Sequence, residues 1–268
     1  MLGSDADVAV AAAGAGAVVV RARYGTAPTR VEKPPSDFAT TADLDAEAAI
    51  LQVLRSARPG DAYLGEESGS SGDDANRRRW LIDPLCGTAN FAARTPLMCV
   101  NVALGVDGVV RVAAAADPMA GDVYWTDGIA AWVRHQGDGN RDEPIVPSAV
   151  TRLVDVNLDP WYPCGQGFRT ERILTDPAFR QVFQPRVTST TLALTWVASG
   201  RRAAYVSTGD LRDSVHFSAG IALSQAAGCI VTGLRGQPVH TGEGGLVAAA
   251  DAHTHDRLVN VVNSLTDR

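Results

Sequence analysis

The feature that most constrains this 268-residue chain is a pair of short apolar runs that each lead to an acidic residue. The runs predict two strands, Asp61–Glu66 and Arg79–Leu85. Because neighbouring strands can end at the same edge of a sheet, Glu66 and Asp83 can bind one cation, with the carbonyl oxygen of Leu85 as a further ligand. Magnesium prefers such clustered oxygen ligands. The sequence therefore predicts a metal site at these strand ends.

The turn that follows the second strand predicts a phosphate site beside the metal. Gly87 and Thr88 open this turn, and its N–H groups can bind phosphate oxygens. A phosphate monoester dianion repels nucleophiles, so its hydrolysis needs cations that neutralise the oxygens and activate a water molecule. The combined pattern favours an enzyme that acts on a small phosphorylated metabolite.

The rest of the chain alternates predicted helices and strands, which indicates a layered α/β protein. We expect two halves, 1–145 and 146–268, that form one compact unit, with the polar segment Gln136–Ser148 near their boundary. The predicted helices are Asp5–Arg23, a second helix capped by Thr40 or Thr41, Glu171–Phe183, Thr190–Ser199, Asp213–Ala227 and His253–Ser264. The other predicted strands are Met98–Val106, Val109–Ala115, Asp122–Thr126, Ala130–Arg134, Leu153–Val156, Ala203–Ser207 and Leu246–Ala250, while Ser68–Asn76 is predicted as a surface loop.

Composition restricts the classes of partner and compartment. The net charge of −6 argues against non-specific nucleic-acid binding, and the sequence contains no apolar run of the roughly 18 residues that a membrane span needs. The apolar segment Val8–Val20 follows two acidic residues, so a helix is favoured over a signal peptide. Four scattered cysteines favour a reducing, cytoplasmic location. Of these, Cys99, Cys164 and Cys229 are expected in the core or in loops.

Several blocks, in order along most of the chain, resemble the inositol monophosphatase family. The resemblance implies an alternating αβαβα sandwich, a homodimer and magnesium-dependent hydrolysis of a sugar, polyol or nucleotide phosphate. It also implies that Asp43 and Thr88 orient or activate the attacking water and that Glu66 takes part in catalysis. The matching blocks are Lys33 with Asp37–Glu47, Gly65-Glu66-Glu67-Ser68, Asp83–Phe91, Asp117-Pro118, Arg186–Tyr205, Val215–Gly220 and Gly228–Pro238.

The same comparison exposes a departure in the second metal site. The family holds this metal with three aspartates, at the positions of Asp83, Cys86 and His216, and only Asp83 is retained here. Cysteine and histidine are poor magnesium ligands but good ligands for zinc and other softer ions. The first metal position, by contrast, keeps its residues.

Three hypotheses account for this departure. In the first, the chain hydrolyses phosphate with one magnesium, or with Asp210 or Asp213 supplying a carboxylate. In the second, Asp83, Cys86 and His216 bind manganese or a transition metal and the reaction has changed. In the third, catalysis is lost or altered and the pocket only binds a phosphorylated ligand. Histidines at the start of the last helix, His253 and His255, are expected to be exposed. The basic run Arg77–Arg79 is interpreted as a solvated strand entry.

Overall fold

The computed structural model describes residues 3–27, 29–33, 37–73, 76–137, 139, 141–159, 168–242 and 244–266. The chain divides into two units. The first consists of Met1–Pro144 together with Thr190–Leu192 and Asp213–Leu223, and the second consists of Ile145–Ser189, Ala193–Arg212 and Ser224–Arg268. Two short segments from the later part of the sequence therefore belong to the first unit.

The first unit is built on an eight-stranded sheet with the order β10-β9-β8-β7-β6-β5-β3-β4, beside a small β1–β2 hairpin. Only β3 and β5 are paired in parallel in the large sheet. The elements are α1 Asp5–Arg23, β1 Arg30–Lys33, β2 Asp37–Thr40, α2 Thr41–Ala57, β3 Ala62–Gly65, β4 Gly69–Ser71, β5 Arg78–Cys86, α3 Thr88–Ala92, β6 Cys99–Val106, β7 Val109–Asp117, β8 Asp122–Thr126, β9 Ala131–His135 and β10 Asp142–Pro144.

Helices α1 and α2 cover one face of this sheet with small and branched apolar residues. A Cβ atom at Gly16 would lie 2.8 Å from the side chain of Ile50, so the absence of a side chain in α1 permits its close approach to α2. The glycine lowers helix propensity, but the packing that it allows offsets that cost. Thr40 caps α2 through a reciprocal capping box with Asp43, as one of the two predicted caps.

The parallel pairing of β3 with β5 places Glu66 beside Asp83. Gly65 pairs with Ile82, and the backbone N–H of Glu66 donates to the Ile82 carbonyl at 3.0 Å. The pairing of β5 with β6 is then irregular between Asp83 and Cys86. This irregularity surrounds Pro84, which has no N–H to give to the ladder.

The second unit contains a five-stranded sheet with the order β12-β11-β13-β15-β14. Strand β11 is parallel to β12 and β13, and the remaining pairs are antiparallel. The elements are β11 Leu153–Val156, α4 Glu171–Thr175, α5 Pro177–Val182, β12 Gln184–Val187, α6 Leu192–Ala198, β13 Ala204–Ser207, α7 Ser218–Ala227, β14 Ile230–Thr232, β15 Leu246–Ala249 and α8 Ala252–Thr266; of these, α6 and α7 cross the division between the units.

Two helix predictions are wrong in extent. The predicted helix Glu171–Phe183 is broken at Asp176, whose side chain accepts from Phe179 N and starts a new helix with Pro177 in its first turn. The predicted helix Asp213–Ala227 begins only at Ser218, since Asp213 has a left-handed backbone with φ of 52°.

Two local predictions also need correction. Part of the predicted loop Ser68–Asn76 forms β4, which pairs with β3. His255 is buried, and its Nε2 lies 2.7 Å from the hydroxyl of Thr232, whereas His253 is exposed as expected.

Cys99 and Cys229 are buried as predicted, and Cys164 lies outside the described residues. Among the helices described here, none combines the length and apolarity that a membrane span requires.

Candidate metal and phosphate site

The carboxylates of Glu66 and Asp83, predicted at the strand ends, both lie near the imidazole of His216. Nδ1 of His216 lies 2.8 Å from Oδ2 of Asp83 and 4.0 Å from Oε2 of Glu66. Asp83 is fully buried, and its Oδ1 accepts from Leu85 N at 3.1 Å. The start of α7 belongs to the first unit and packs Ala219 against the sheet, which brings the preceding His216 to this edge.

Glu66 has a raised pKa and a buried carboxylate oxygen without a hydrogen bond to any described residue, which is typical of a cation ligand. Burial, followed by the negative charge of Asp83, raises the pKa of Glu66 to about 8, although His216 and Lys33 oppose the shift. Its Oε2 is buried and has no hydrogen-bond partner among the described residues. An unpaired buried carboxylate oxygen is costly, and a bound metal ion satisfies such an atom. Glu66, Asp83 and the Leu85 carbonyl are all oxygen donors, so this part of the site fits magnesium.

Lys33 is a neighbouring cation whose role the sequence did not predict. Its ammonium group lies 3.3 Å from Oε1 of Glu66 and 2.7 Å from Oε1 of Glu67. Burial alone would lower the pKa of Lys33, but the two glutamates raise it to about 12. Burial also raises the pKa of Glu67, while Lys33 opposes that shift. Lys33 therefore stays charged and partly neutralises the negative charge of Glu66 and Glu67 in the turn after β3, which we call the acidic turn.

Glu47 holds the acidic turn in place from helix α2. The side chain is 2% exposed, and its two oxygens accept from Glu67 N at 2.9 Å and Ser68 N at 2.8 Å. A Cβ atom at Gly65 would lie 2.6 Å from this carboxylate. A glycine at 65 is therefore needed for Glu47 to reach the turn that carries Glu66.

The water-handling pair predicted from the sequence is in contact. The hydroxyl of Thr88 lies 3.0 Å from Oδ1 of Asp43 and 3.1 Å from the carbonyl oxygen of Leu85. The other oxygen of Asp43 accepts from both the backbone N–H and the hydroxyl of Thr40. Burial raises the pKa of Asp43, and these hydrogen bonds counter the rise. Thr88 thus links an internal carboxylate to a predicted metal ligand.

Gly87 precedes Thr88 in a conformation that suits glycine. Its φ is 108°, and a Cβ atom there would lie 2.8 Å from the Leu97 carbonyl oxygen. The turn is closed by a hydrogen bond of 2.9 Å from Phe91 N to the Gly87 carbonyl. Phosphate binding by Gly87 and Thr88 stays a prediction.

The altered second-metal residues converge as the sequence comparison implied. Ligand atoms of Asp83, Cys86 and His216 lie within 4.8 Å of one another. Burial, followed by the charge of Asp83, raises the pKa of the Cys86 thiol. Burial would lower the pKa of His216, but Asp83, Cys86 and Glu66 raise it well above its ordinary value. One carboxylate with a thiol and an imidazole does not fit magnesium at this second position.

Asn101 and Thr191 complete the surroundings, and sequence reasoning missed both. The amide nitrogen of Asn101 lies 3.3 Å from Oδ2 of Asp83 and 2.8 Å from the hydroxyl of Thr191. Thr191 N donates to Sγ of Cys86 at 3.3 Å. The signal in the sequence for this role is an asparagine within the apolar strand β6, since a buried amide needs polar partners.

Two aspartates are suggested by the sequence as substitute carboxylates. Asp213 is exposed, and Asp210 belongs to the second unit.

The basic run Arg77–Arg79 lies at the start of β5, at the opposite end of that strand from Asp83, and forms ion pairs there. Arg77 pairs with Asp107, and Arg78 pairs with Asp5 and Asp61. This agrees with its interpretation as a strand entry.

The family model described as the inositol monophosphatase family matches residues 2–267. The chain belongs to the inositol monophosphatase family. An inositol-1-monophosphatase of Mesorhizobium japonicum is 29% identical over 242 residues, which cover 88% of this chain and 87% of that protein. The Nus factor SuhB of Salmonella typhimurium is 31% identical over 266 residues, covering 97% of this chain and 96% of that protein.

Solved structures confirm the predicted fold class. The inositol monophosphatase of an Anabaena (Nostoc) species superposes with a TM-score of 0.75 at 26% identity and covers 98% of this chain and 95% of that one. The inositol monophosphatase of Thermotoga maritima gives a TM-score of 0.80 at 20% identity, over 97% of each chain, and supports the fold alone. The family is one of metal-dependent phosphatases, so the scaffold supports that activity in general terms.

Proposed function

We propose that this chain hydrolyses a small phosphate monoester, such as a sugar, polyol or nucleotide phosphate, with a magnesium ion bound by Glu66, Asp83 and the Leu85 carbonyl. The observation that carries the proposal is the buried, unpartnered Oε2 of Glu66 next to Asp83, in a chain of this family. Burial and the negative charge of Asp83 raise the pKa of Glu66, so a cation beside Glu66 would stabilise its charged form.

A magnesium ion held by Glu66, Asp83 and the Leu85 carbonyl would supply positive charge for the phosphate oxygens and for the activation of a water molecule. Thr88 and Asp43 then handle the proton of the attacking water. A hydroxyl that donates to Oδ1 of Asp43 keeps its own lone pairs as acceptors, so Thr88 can orient a water and pass its proton towards the carboxylate. The raised pKa of Asp43 makes this carboxylate a better proton acceptor than an exposed one.

Gly87 and Thr88 would bind the phosphate through their backbone N–H groups. The turn that presents these N–H groups needs glycine at position 87, because its φ is 108° and a Cβ atom there would lie 2.8 Å from the Leu97 carbonyl oxygen. The net charge of −6 disfavours polyanionic partners such as nucleic acid, which leaves a small phosphorylated metabolite as the proposed substrate class.

A second candidate function is binding of a phosphorylated ligand without hydrolysis. The observation that favours it is that Asp83 and Glu66 already have cationic neighbours, His216 at 2.8 Å and Lys33 at 3.3 Å. If these two side chains keep the carboxylates neutralised, no metal is needed at the site.

Release of inorganic phosphate from a panel of monoesters, with magnesium, manganese or zinc, separates the two functions. Hydrolysis with magnesium that is lost in Glu66→Gln and Asp83→Asn supports the first. Asp142→Asn is the control, because this carboxylate lies on β10, at the opposite edge of the same sheet. No release with any metal, together with saturable binding of a monoester, would replace the first function by the second.

A further inference from the structure

Cys86 and His216 occur together with Asp83 in one small cluster, and the chemistry of the three side chains differs from an oxygen-only site. Their ligand atoms lie within 4.8 Å of one another, close enough for all three to contact a single ion. Asp83 is fully buried, whereas Cys86 is partly buried and the His216 side chain is 33% exposed. An ion could therefore enter from the side of His216.

We propose that Asp83, Cys86 and His216 bind a thiophilic divalent cation of the zinc class, in place of the second magnesium. A thiolate and an imidazole favour zinc and similar ions over magnesium, and one carboxylate adds the charge that such a site commonly carries. Three protein ligands leave a fourth position of a tetrahedral ion open, which is the arrangement of catalytic zinc sites. The binding step does not depend on the proposed hydrolysis.

The surroundings hold two of the three ligands, Cys86 and Asp83, in place. Thr191 N donates to Sγ of Cys86 at 3.3 Å, which stabilises negative charge on sulfur. Asn101 lies 3.3 Å from Oδ2 of Asp83, and Leu85 N donates to Oδ1 at 3.1 Å. Such hydrogen bonds from a second layer of residues are typical of built metal sites, because they fix the orientation of the ligands.

An ion pair between His216 and Asp83 alone does not explain the cluster as well as a metal does. That pair accounts for the 2.8 Å contact but gives no role to the sulfur of Cys86, which is in hydrogen-bond contact with the same imidazole. Three ligand atoms of these types within 4.8 Å of one another are the arrangement that a thiophilic metal site requires.

Titration of the full-length, metal-free protein with Co²⁺ and Cd²⁺ tests the proposal by absorption, without substrate. A thiolate-to-metal charge-transfer band should saturate at one ion per chain. Cys86→Ser and His216→Asn should each weaken binding by about tenfold or more, since even the loss of an outer partner costs about 10- to 100-fold. Cys86→Ser should also abolish the band. Cys229→Ala, a buried cysteine of the second unit, is the matched control.

The outcomes separate this proposal from the proposed function. A band that survives in Cys86→Ser, or no band in the wild-type protein, overturns the thiophilic site and leaves His216 as a simple ion-pair partner of Asp83. Thermal unfolding of each variant shows whether a lost band reflects a lost fold, and His216→Asn provides a second route if Cys86→Ser is unstable. Phosphate release with magnesium is measured separately, so its failure would count against hydrolysis and not against this site.

Discussion

Glu47 is a positioning residue whose removal should loosen the whole acidic turn. Its carboxylate accepts two backbone N–H groups, those of Glu67 and Ser68, and is almost completely buried. Glu47→Gln keeps the shape but offers one acceptor and one donor, so one N–H faces an amide N–H. A hydrogen bond to a charged group contributes about 1.5–3 kcal/mol, and a buried unpaired donor costs about 1–3 kcal/mol. We therefore expect the free energy of unfolding to fall by about 3 kcal/mol.

Urea unfolding measures this loss, and magnesium affinity measures its consequence for Glu66, which adjoins the turn. Asp45→Asn is the matched control, because Asp45 lies on the same helix and forms an exposed pair with Arg23 that contributes at most about 1 kcal/mol. The positioning role is refuted if Glu47→Gln unfolds at the same urea concentration as Asp45→Asn and binds magnesium with unchanged affinity.

Three further predictions follow from the same structure. Cys86→Asp with His216→Asp should increase magnesium-dependent phosphate release, because the second site regains oxygen ligands; an unchanged rate would show that these side chains do not limit metal loading. Gly87→Ala should destabilise the fold and reduce activity, since its φ is 108° and a carbonyl oxygen lies 2.8 Å from the added Cβ; equal thermal stability to wild type would refute this. Burial raises the pKa of Asp5, but its ion pairs with arginines, including Arg58, lower it overall. Asp5 thus stabilises the fold above its unfolded-state pKa of about 3.9, and the stability difference from Asp5→Asn should vanish as the pH falls through the folded value. A difference that grows on acidification would contradict that sign.

The strand ends that carry the site could be predicted because their signals are local. An apolar run followed by a carboxylate can be recognised in the sequence without knowing which strand pairs with it. The structure places Asp83 in β5 and Glu66 directly after the adjacent strand β3, as expected. The cap of α2 could be predicted only to within one residue, Thr40 or Thr41, and the structure decides for Thr40 through its capping box with Asp43.

What could not be predicted depends on long-range contacts. Lys33 is separated from Glu66 by 33 residues, and Asn101 from Thr191 by 90, so no periodicity connects them. The start of α7 was misplaced because apolar spacing continues upstream of Ser218 while the backbone turns. The break before Pro177, by contrast, has a local signal in the sequence, because an aspartate followed by proline commonly starts a helix.

The two substitutions in the second metal site are physically consistent with each other. A thiol in place of a carboxylate removes one negative charge, and an imidazolium in place of another changes the charge by two units. Together they make the cluster about three units more positive, which exceeds the charge of one magnesium ion. Asp83 therefore gains a cation from the chain itself through His216, whose raised pKa reflects that pairing. The positive charge of His216 alone compensates the negative charge of Asp83, so an internal ion pair gives no reason for a sulfur atom at position 86. The behaviour of Cys86 therefore distinguishes an internal ion pair from a thiophilic metal site.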